Sequence, residues 1–490
     1  MTDAESRYRN ARIAHWDRTA GRKNDPGRAG AFYQMLLEHY YRMMVQPGLR
    51  ILELGCGGGD LLACLKPSVG VGVDFSSEMI NIARSKHPEC RFIQADLHDP
   101  ALGGQEIGVS QMDGKIDGLF DVIILSDLIN DLWDVQTVFE NMRRFCHPRT
   151  RIIINFYSNL WKVPLGVVKH MGKGADLLSQ NWLAQNDVIN LLRLAGFDAV
   201  NDRSKILLPL PWAVLAVFFN RFLANIAPFR WFCLTNFIVA RPSPETLAAK
   251  APPSVSVIVA ARNEAGNIAD ILRRVPSLGS RTQLVFVEGH SSDNTYETIE
   301  AQIKQHPEKN ISLYRQTGKG KGDAVRLGFD KADGDILMIL DADMTVPPED
   351  LPRFVDAIAS GKGEFVNGVR LVYPMEDQAM RFFNILGNKF FSLAFSWLLE
   401  QPIKDTLCGT KVMWREDYRH LAANRAYFGD FDPFGDFDLL FGAAKLNLKI
   451  VEMPVRYRSR TYGDTNISRW RHGWMLLKMV IFAARRIKFT

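Results

Sequence analysis

One pattern occurs twice and dictates most of what this chain can become. A short, mostly apolar run leads into a glycine-rich or acidic turn and then a helical segment, first at residues 50–54 (RILEL) and again at 254–260 (SVSVIVA). Apolar runs without alternation suit strands covered on both faces, as in a parallel sheet flanked by helices. Each restart is followed by further strand–helix alternation, so two α/β domains are expected. Residues 241–254 (RPSPETLAAKAPPS) carry four prolines and no apolar period, which marks a linker. At 490 residues the chain also exceeds what one ordinary core accommodates. The expected division is a first domain at 1–241, a linker at 242–253, a second domain at 254–467 and a basic amphipathic helix at 468–490.

Composition narrows the setting. With 47% hydrophobic and 23% charged residues the chain is globular in type. Six scattered cysteines without a CxxC pair argue against a disulfide framework or structural zinc site. The polar N-terminus does not resemble a secretory signal, and no apolar run reaches the roughly 18–20 residues of a spanning helix. The last forty residues hold nine Lys/Arg against Glu452 and Asp464, more excess charge than the net +6 of the whole chain. Mixed with Trp470, Trp474 and Phe482, these cations suit an anionic membrane surface or a phosphate-bearing ligand. No basic groove elsewhere favours nucleic acid. A cytoplasmic protein, peripheral to the inner face of the cell membrane, is expected.

In the first half, RILELGCGGGD (50–60) reads as strand, glycine turn and helix start, where a ligand can approach the backbone. Runs at 69–73, 91–95 and 120–125 end in Asp74, Asp96 and Ser126–Asp127. The carboxyl ends of such strands converge on one crevice, and a carboxylate at Asp74 is spaced to accept from ribose hydroxyls. A dinucleotide fingerprint would need glycine where Asp60 stands. The ordered series ELGCGGGD, GVGVDFS, QADLHD and FDVIILSDLIND resembles the class I S-adenosylmethionine-dependent methyltransferases over about residues 45–200. That resemblance implies a Rossmann-like sheet with Glu53, Gly55 and Gly57 beside the methionine and ribose, Asp74 on the ribose and Asp96 towards the adenine. Asp127 and Tyr157 fall near the same crevice, but no motif names a base. The aromatic-rich stretch 206–237 reads either as core helix and closing strands or as a face lying on a membrane or on the second domain.

In the second half, the run at 254–260 leads into Arg262-Asn263-Glu264, that at 283–287 into Glu288 and Asp293, and that at 336–340 into Asp341-Ala342-Asp343. Paired carboxylates at a strand end can hold a hard divalent cation that neutralises a diphosphate. The elements ARNE, SSDNT, GKGDA, DADMTVPPE, NGVR and KDTLCGTKV resemble the GT-A glycosyltransferases, in the family of dolichyl-phosphate mannose and undecaprenyl-phosphate sugar synthases, over about 254–462. The resemblance implies a nucleotide-diphosphate sugar held by Arg262, Glu264, Glu288, Asp293, Lys321 and Asp341, with Mg2+ or Mn2+ on Asp341 and Asp343. Glu288-Gly289 replaces the family's usual Asp-Asp or Asp-Gly.

The acceptor leaves two expectations. A hydroxyl acceptor needs a carboxylate base, for which Asp436 or Asp438 in FGDFDLL are candidates. A polyprenyl phosphate is already ionised and needs cations instead. Arg370, and Arg456, Arg458 and Arg460 on one face of a strand, would then grip it. The chain is thus expected to be a fused methyltransferase–glycosyltransferase acting on a polyprenyl phosphate or another lipid-linked glycan. The alternative is a membrane-bound scaffold with one inactive domain. A short hydrophobic hairpin within 380–399 is a further possibility.

Overall fold

The computed structural model describes residues 3–20, 27–99, 118–170, 178, 180–244, 251–370, 382–425, 435–456 and 469–489. It divides into two compact units that part between Leu247 and Ala248, inside the proline-rich segment. Among the described residues each unit is built on a seven-stranded sheet.

In the first unit the strands are β1 (Arg50–Leu54), β2 (Val69–Asp74), β3 (Arg91–Gln94), β4 (Phe120–Ser126), β5 (Cys146–Tyr157), β6 (Phe197–Lys205) and β7 (Thr235–Pro242). They lie in the order β3-β2-β1-β4-β5-β7-β6. Only β7 runs antiparallel to its neighbours, while β1 pairs in parallel with both β2 and β4. Successive side chains along a strand face opposite ways, which explains the unbroken apolar runs. Leu52, Leu54, Ile123 and Leu125 pack with the helices Val135–Met142 and Gln185–Leu194 on one face. Ile51, Val122, Ile124 and Phe237 pack on the other with Tyr33, Leu37 and Tyr41 of the helix Gly27–Met44. The chain leaves β1 towards β2 and β3 and later returns to β4 on the opposite side. This reversal opens a crevice at the carboxyl ends of β1 and β4.

The second unit repeats the device with β8 (Val255–Ala261), β9 (Thr282–Glu288), β10 (Asn310–Arg315), β11 (Ile336–Ile339), β12 (Phe365–Val369), β13 (Lys411–Trp414) and β14 (Ile450–Pro454). Their order is β10-β9-β8-β11-β13-β12-β14, with β13 antiparallel to both neighbours. The reversal lies between β8 and β11. The helix Lys321–Lys331 sits close to this sheet because Gly328 has no side chain: a Cβ there would fall 2.4 Å from Ile258 Cγ2. That close approach brings the start of the helix, and Lys321, to the strand ends.

Several expectations need correction. Residues 380–399 supply no hairpin but one helix, Phe382–Leu399, whose Phe395 packs on Phe437 and Phe441 with centroids 5.2 and 5.7 Å away. The C-terminal helix Arg469–Ala483 does not stand apart from the second unit. It buries Leu476, Met479 and Ala483, and just beyond it buried Lys488 pairs with Glu400. The strand expected to display Arg456, Arg458 and Arg460 ends at Pro454. Arg456 is exposed beyond it, and Arg458 and Arg460 lie outside the described residues. No helix among the described residues is long and apolar enough to cross a membrane.

Candidate active sites

In the first unit the glycine turn follows β1 directly. Gly55, Gly57 and Gly59 all have positive φ (73°, 49° and 78°). Space matters as much as conformation, since a Cβ at Gly55 would meet Leu128 Cδ1 at 2.6 Å and one at Gly59 would meet Phe92 Cζ at 2.6 Å. Both glycines are therefore demanded by the fold itself. Asp74 stands at the end of β2, where Oδ2 accepts from Gly57 N (2.9 Å) and Oδ1 from Ser76 N (2.9 Å). It locks the turn to the start of the helix Ser77–Lys86, whose Ser76 cap accepts from Met79 N. Glu53 is buried at the carboxyl end of β1.

Asp96, just past β3, pairs with Arg9 (Oδ2–Nε 3.1 Å) and accepts from His98 N at 3.0 Å. Burial disfavours its charge, but His98 and Arg9 outweigh that and hold the carboxyl below its usual range. Arg9 belongs to the helix Asp3–Ala20, which also sends Asp17 to Ser76 Oγ (2.5 Å) and Arg12 to Asp131 O (2.9 Å). One polar helix thus touches the carboxyl ends of β2, β3 and β4.

Asp127 follows β4 with φ 51°, a left-handed conformation unusual for a non-glycine residue. It is held there because Oδ1 accepts from Asn155 Nδ2 (2.6 Å) and Tyr33 OH (3.1 Å). Asn155 in turn accepts from Tyr41 OH at 2.7 Å. Burial, then the Asp127 charge, push the Tyr33, Tyr41 and Tyr157 phenols far up, so all three stay neutral, and Tyr33 and Tyr41 donate. Tyr33, Tyr41, Asn155 and Thr235 escaped the sequence reading. The two tyrosines arrive from a helix before the first motif, with nothing but apolar spacing to announce them.

In the second unit Arg262, Asn263 and Glu264 follow β8, Glu288 ends β9 and Asp341 follows β11. Glu264 and Glu288 are buried, and Arg262 is exposed. Two loops are sewn together above the sheet. Asn263 N donates to Ser291 Oγ (3.0 Å), Asn263 Oδ1 accepts from Ser292 N (2.8 Å), and Glu264 N donates to Thr295 Oγ1 (3.0 Å). Glu288 Oε1 accepts from Ser291 N at 2.5 Å. Asp293 accepts from Thr295 Oγ1 at 2.5 Å and from Ala265 N at 3.4 Å. Asp293 therefore organises the loop, whatever else it touches. Asn263, His290 and Met344, each just beyond a strand of this crevice, have φ of 57°, 57° and 51°. Left-handed non-glycine residues gather where surroundings over-determine the backbone, as at functional sites.

Asp341 Oδ1 lies 2.6 Å from Lys321 Nζ. Burial opposes its charge, but Lys321, then Lys411 and Arg370, hold its carboxyl below the usual range. Asp343 is buried, and its Oδ1 accepts from Thr345 N (3.1 Å) and Oγ1 (2.8 Å). A Cβ at Gly409 would come within 2.0 Å of Asp341 Oδ2 and 2.5 Å of Lys321 Nζ, so a larger residue there would displace the Lys321–Asp341 pair. These hard oxygen donors suit Mg2+ or Mn2+. Among the described residues no three His, Cys, Asp or Glu side chains converge as ligands. Such ions usually complete their shell with substrate oxygens and water.

Arg370, expected at the acceptor, is held by an acidic partner while its charge also bears on Asp341. Its Nε and Nη2 form a fork on Asp405 Oδ2 and Oδ1 at 2.7 and 2.8 Å, both side chains being largely buried. Asp405, Gly409 and Lys411 all lie within KDTLCGTKV, a motif noticed only for its likeness. Lys411, wholly buried, donates to Cys408 O at 2.6 Å. Asp436 begins the helix Asp436–Lys445, whose glycine cap Gly435 leaves no room for a Cβ against Gly322 Cα (2.6 Å). The side chain of Asp436 lies outside what is described. Asp438 is buried and paired with Arg425 at 3.1 Å.

Comparison with known proteins places both halves. A glycosyl transferase family 2 model matches residues 256–421, and a methyltransferase domain model matches residues 46–196. The chain is 28% identical over 247 residues to the dolichol-phosphate mannosyltransferase of Pyrococcus furiosus, covering 48% of this chain and 67% of that protein. It is 32% identical over 218 residues to the undecaprenyl-phosphate 4-deoxy-4-formamido-L-arabinose transferase of Proteus mirabilis, covering 44% of this chain and 63% of that one. The match spans only about a third of the Edwardsiella ictaluri counterpart (34%). Among solved structures, the S-adenosylmethionine dependent methyltransferase from Mesorhizobium loti aligns with 18% identity over 44% of this chain and 100% of that one, at a TM-score of 0.32.

Proposed function

From a chain whose residues 46–196 are a methyltransferase domain and whose residues 256–421 are a glycosyl transferase family 2 domain, we propose an enzyme with two separate transfer reactions. The second unit moves a sugar from a nucleotide-diphosphate sugar to a polyprenyl phosphate or another lipid-linked acceptor. The first unit moves a methyl group from S-adenosylmethionine, with a glycan as the acceptor suggested by the fusion.

The observation that carries the sugar reaction is the Lys321–Asp341–Asp343 group at the carboxyl end of β11, closed by Gly409. A divalent cation bound there would supply charge neutralisation to the leaving diphosphate. Asp341 and Asp343 would hold it, and Lys321 would add a second positive charge. Two facts support a phosphate acceptor. The curated relatives are named for dolichol phosphate and undecaprenyl phosphate. Asp438, one of the two expected bases, is already paired with Arg425, and an ionised phosphate needs no base.

For the methyl reaction, the glycine turn and Asp74 would position the cofactor, since transfer from a sulfonium mainly needs alignment of the reacting groups. Titration calorimetry should show S-adenosylmethionine binding and no NAD binding. Asp74→Ala should weaken the former by about 1–3 kcal/mol, the scale of hydrogen bonds to a charged group. Because Asp74 also ties Gly57 to Ser76, the variant must first melt like the parent. Tight NAD binding without a response to S-adenosylmethionine would overturn the assignment.

A further inference from the structure

We propose that the first unit docks on an anionic lipid bilayer through a face built from residues 158–170 and 206–232. This surface was not separable from core in the sequence. In the fold, large apolar side chains point out of it: Val214 is 84% exposed, Val163 72%, Trp231 64%, Phe232 58%, Trp212 56% and Phe218 49%. Scattered apolar residues on a surface mean little, but a contiguous patch of this kind marks an interaction site.

The face is ordered from beneath by polar groups. Asn220 is buried and acts as a strand partner to Leu208, accepting from its N–H and donating to its C=O, both at 2.8 Å. Asn225 is buried too, donating to Arg221 O at 2.9 Å and accepting from the buried Lys205 ammonium. Trp161 Nε1 donates to Phe232 O at 2.9 Å and so joins the helix Lys162–His170 to the same face. Ile206, a β-branched residue with φ 63°, turns the chain out of β6 where the stretch begins. The arrangement is inside out for a water-facing loop: amides inside, tryptophans and phenylalanines outside.

Charge selects the occupant. Residues 159–170 and 206–237 contain no Asp or Glu. Lys162 is exposed on the face and Arg230 partly so, while Arg221, also exposed, spends its Nε on Phe489 O at 2.7 Å. Two copies meeting through this face would oppose cation to cation, which disfavours a dimer. An anionic bilayer answers both features, taking tryptophan and apolar side chains at the headgroup boundary and lysine and arginine at the lipid phosphates. The inference stands whatever acceptor the second unit uses.

The test is co-sedimentation of the full-length protein with vesicles of phosphatidylcholine alone or mixed with phosphatidylglycerol, beside its mass in solution by light scattering. The parent should pellet with the anionic vesicles at low salt, bind the neutral ones several-fold more weakly, and be released as salt rises. Val214→Glu with Trp231→Glu should lower anionic-vesicle binding at least tenfold, with S-adenosylmethionine binding and melting temperature unchanged. Lys162→Gln with Arg230→Gln should erase the preference for anionic lipid. The proposal falls if the parent stays in solution with anionic vesicles at low salt. It also falls if the glutamate pair leaves vesicle binding intact, or if that pair only converts a dimeric parent into monomer.

Discussion

Asp343→Asn should cut sugar transfer by roughly 10²–10³-fold or more, the scale of losing one preorganised charge-stabilising contact, while methyl transfer continues at the parental rate. The substitution is chosen for what it preserves. Asp343 Oδ1 accepts from Thr345 N and Oγ1, and an asparagine oxygen can accept both. The loop after β11 therefore survives and only the charge is lost. In the variant Asp341 alone, already facing Lys321, lacks a second carboxylate to hold the ion; chelation should produce the same loss in the parent by removing the ion itself. Transfer from a sulfonium calls on no cation, so methyl transfer controls for the chelator, and the melting of the second unit controls for folding. Full sugar transfer in excess chelator would remove the metal from the account.

The second large effect concerns Arg370. Its fork on Asp405 is a buried ion pair, and removing one partner of such a pair typically costs about 3–5 kcal/mol, because the other charge is left buried and uncompensated. Arg370→Met should therefore lower the denaturation midpoint of the second unit markedly at pH 7. The pH dependence gives the loss a signature. In the parent, burial raises the Asp405 carboxyl, but the Arg370 charge and the hydrogen bonds it receives win, leaving it below its usual range. Its contribution to stability is thus complete above the unfolded value of about 3.9 and fades as pH falls through the lower folded value. Without the Arg370 guanidinium, burial is opposed only by the backbone N–H groups of residues 370 and 407, so the folded carboxyl moves up from its parental position. The penalty is then greatest near neutral pH and shrinks as the carboxyl protonates. Denaturation followed from pH 7 down to about pH 3, below the unfolded carboxylate value, should show the gap between parent and variant narrowing. If Arg370 instead gripped the acceptor, the variant would keep the parental midpoint throughout that range and lose turnover alone.

What could be read from the sequence follows from which forces act locally. The buried strands β1, β2, β4, β8, β9 and β11 announced themselves because both faces of each sheet are covered, which leaves mostly apolar runs such as ILMIL at 336–340. The residues at their carboxyl ends were legible for the same reason: Asp74, Glu264, Glu288 and Asp341 stop an apolar run. Partners were not legible. Nothing in NGVR says that Arg370 meets Asp405 thirty-five residues later. Nothing in a basic strand-like run revealed that β14 stops at Pro454 before Arg456. The helix Gly27–Met44 offered only apolar spacing, so the hydroxyls of Tyr33 and Tyr41 could not be placed beside Asp127 and Asn155. The stretch 206–232 stayed open between two readings, because aromatic density reads alike whether it faces a core or the outside. The exposure of Val214, Trp212 and Trp231, with Asn220 and Asn225 buried, marks an outward face.

The central claim is that the second unit glycosylates a lipid phosphate. Its most direct test is mass spectrometry of a short polyprenyl phosphate incubated with the full-length protein, a divalent cation and a panel of nucleotide-diphosphate sugars. The account predicts a product heavier by one sugar residue with the phosphate retained, absent for Asp343→Asn and still formed by a folded Asp436→Asn variant. A polyprenyl phosphate left unmodified while a glycan hydroxyl gains the sugar, with the folded Asp436→Asn variant inactive, would contradict it.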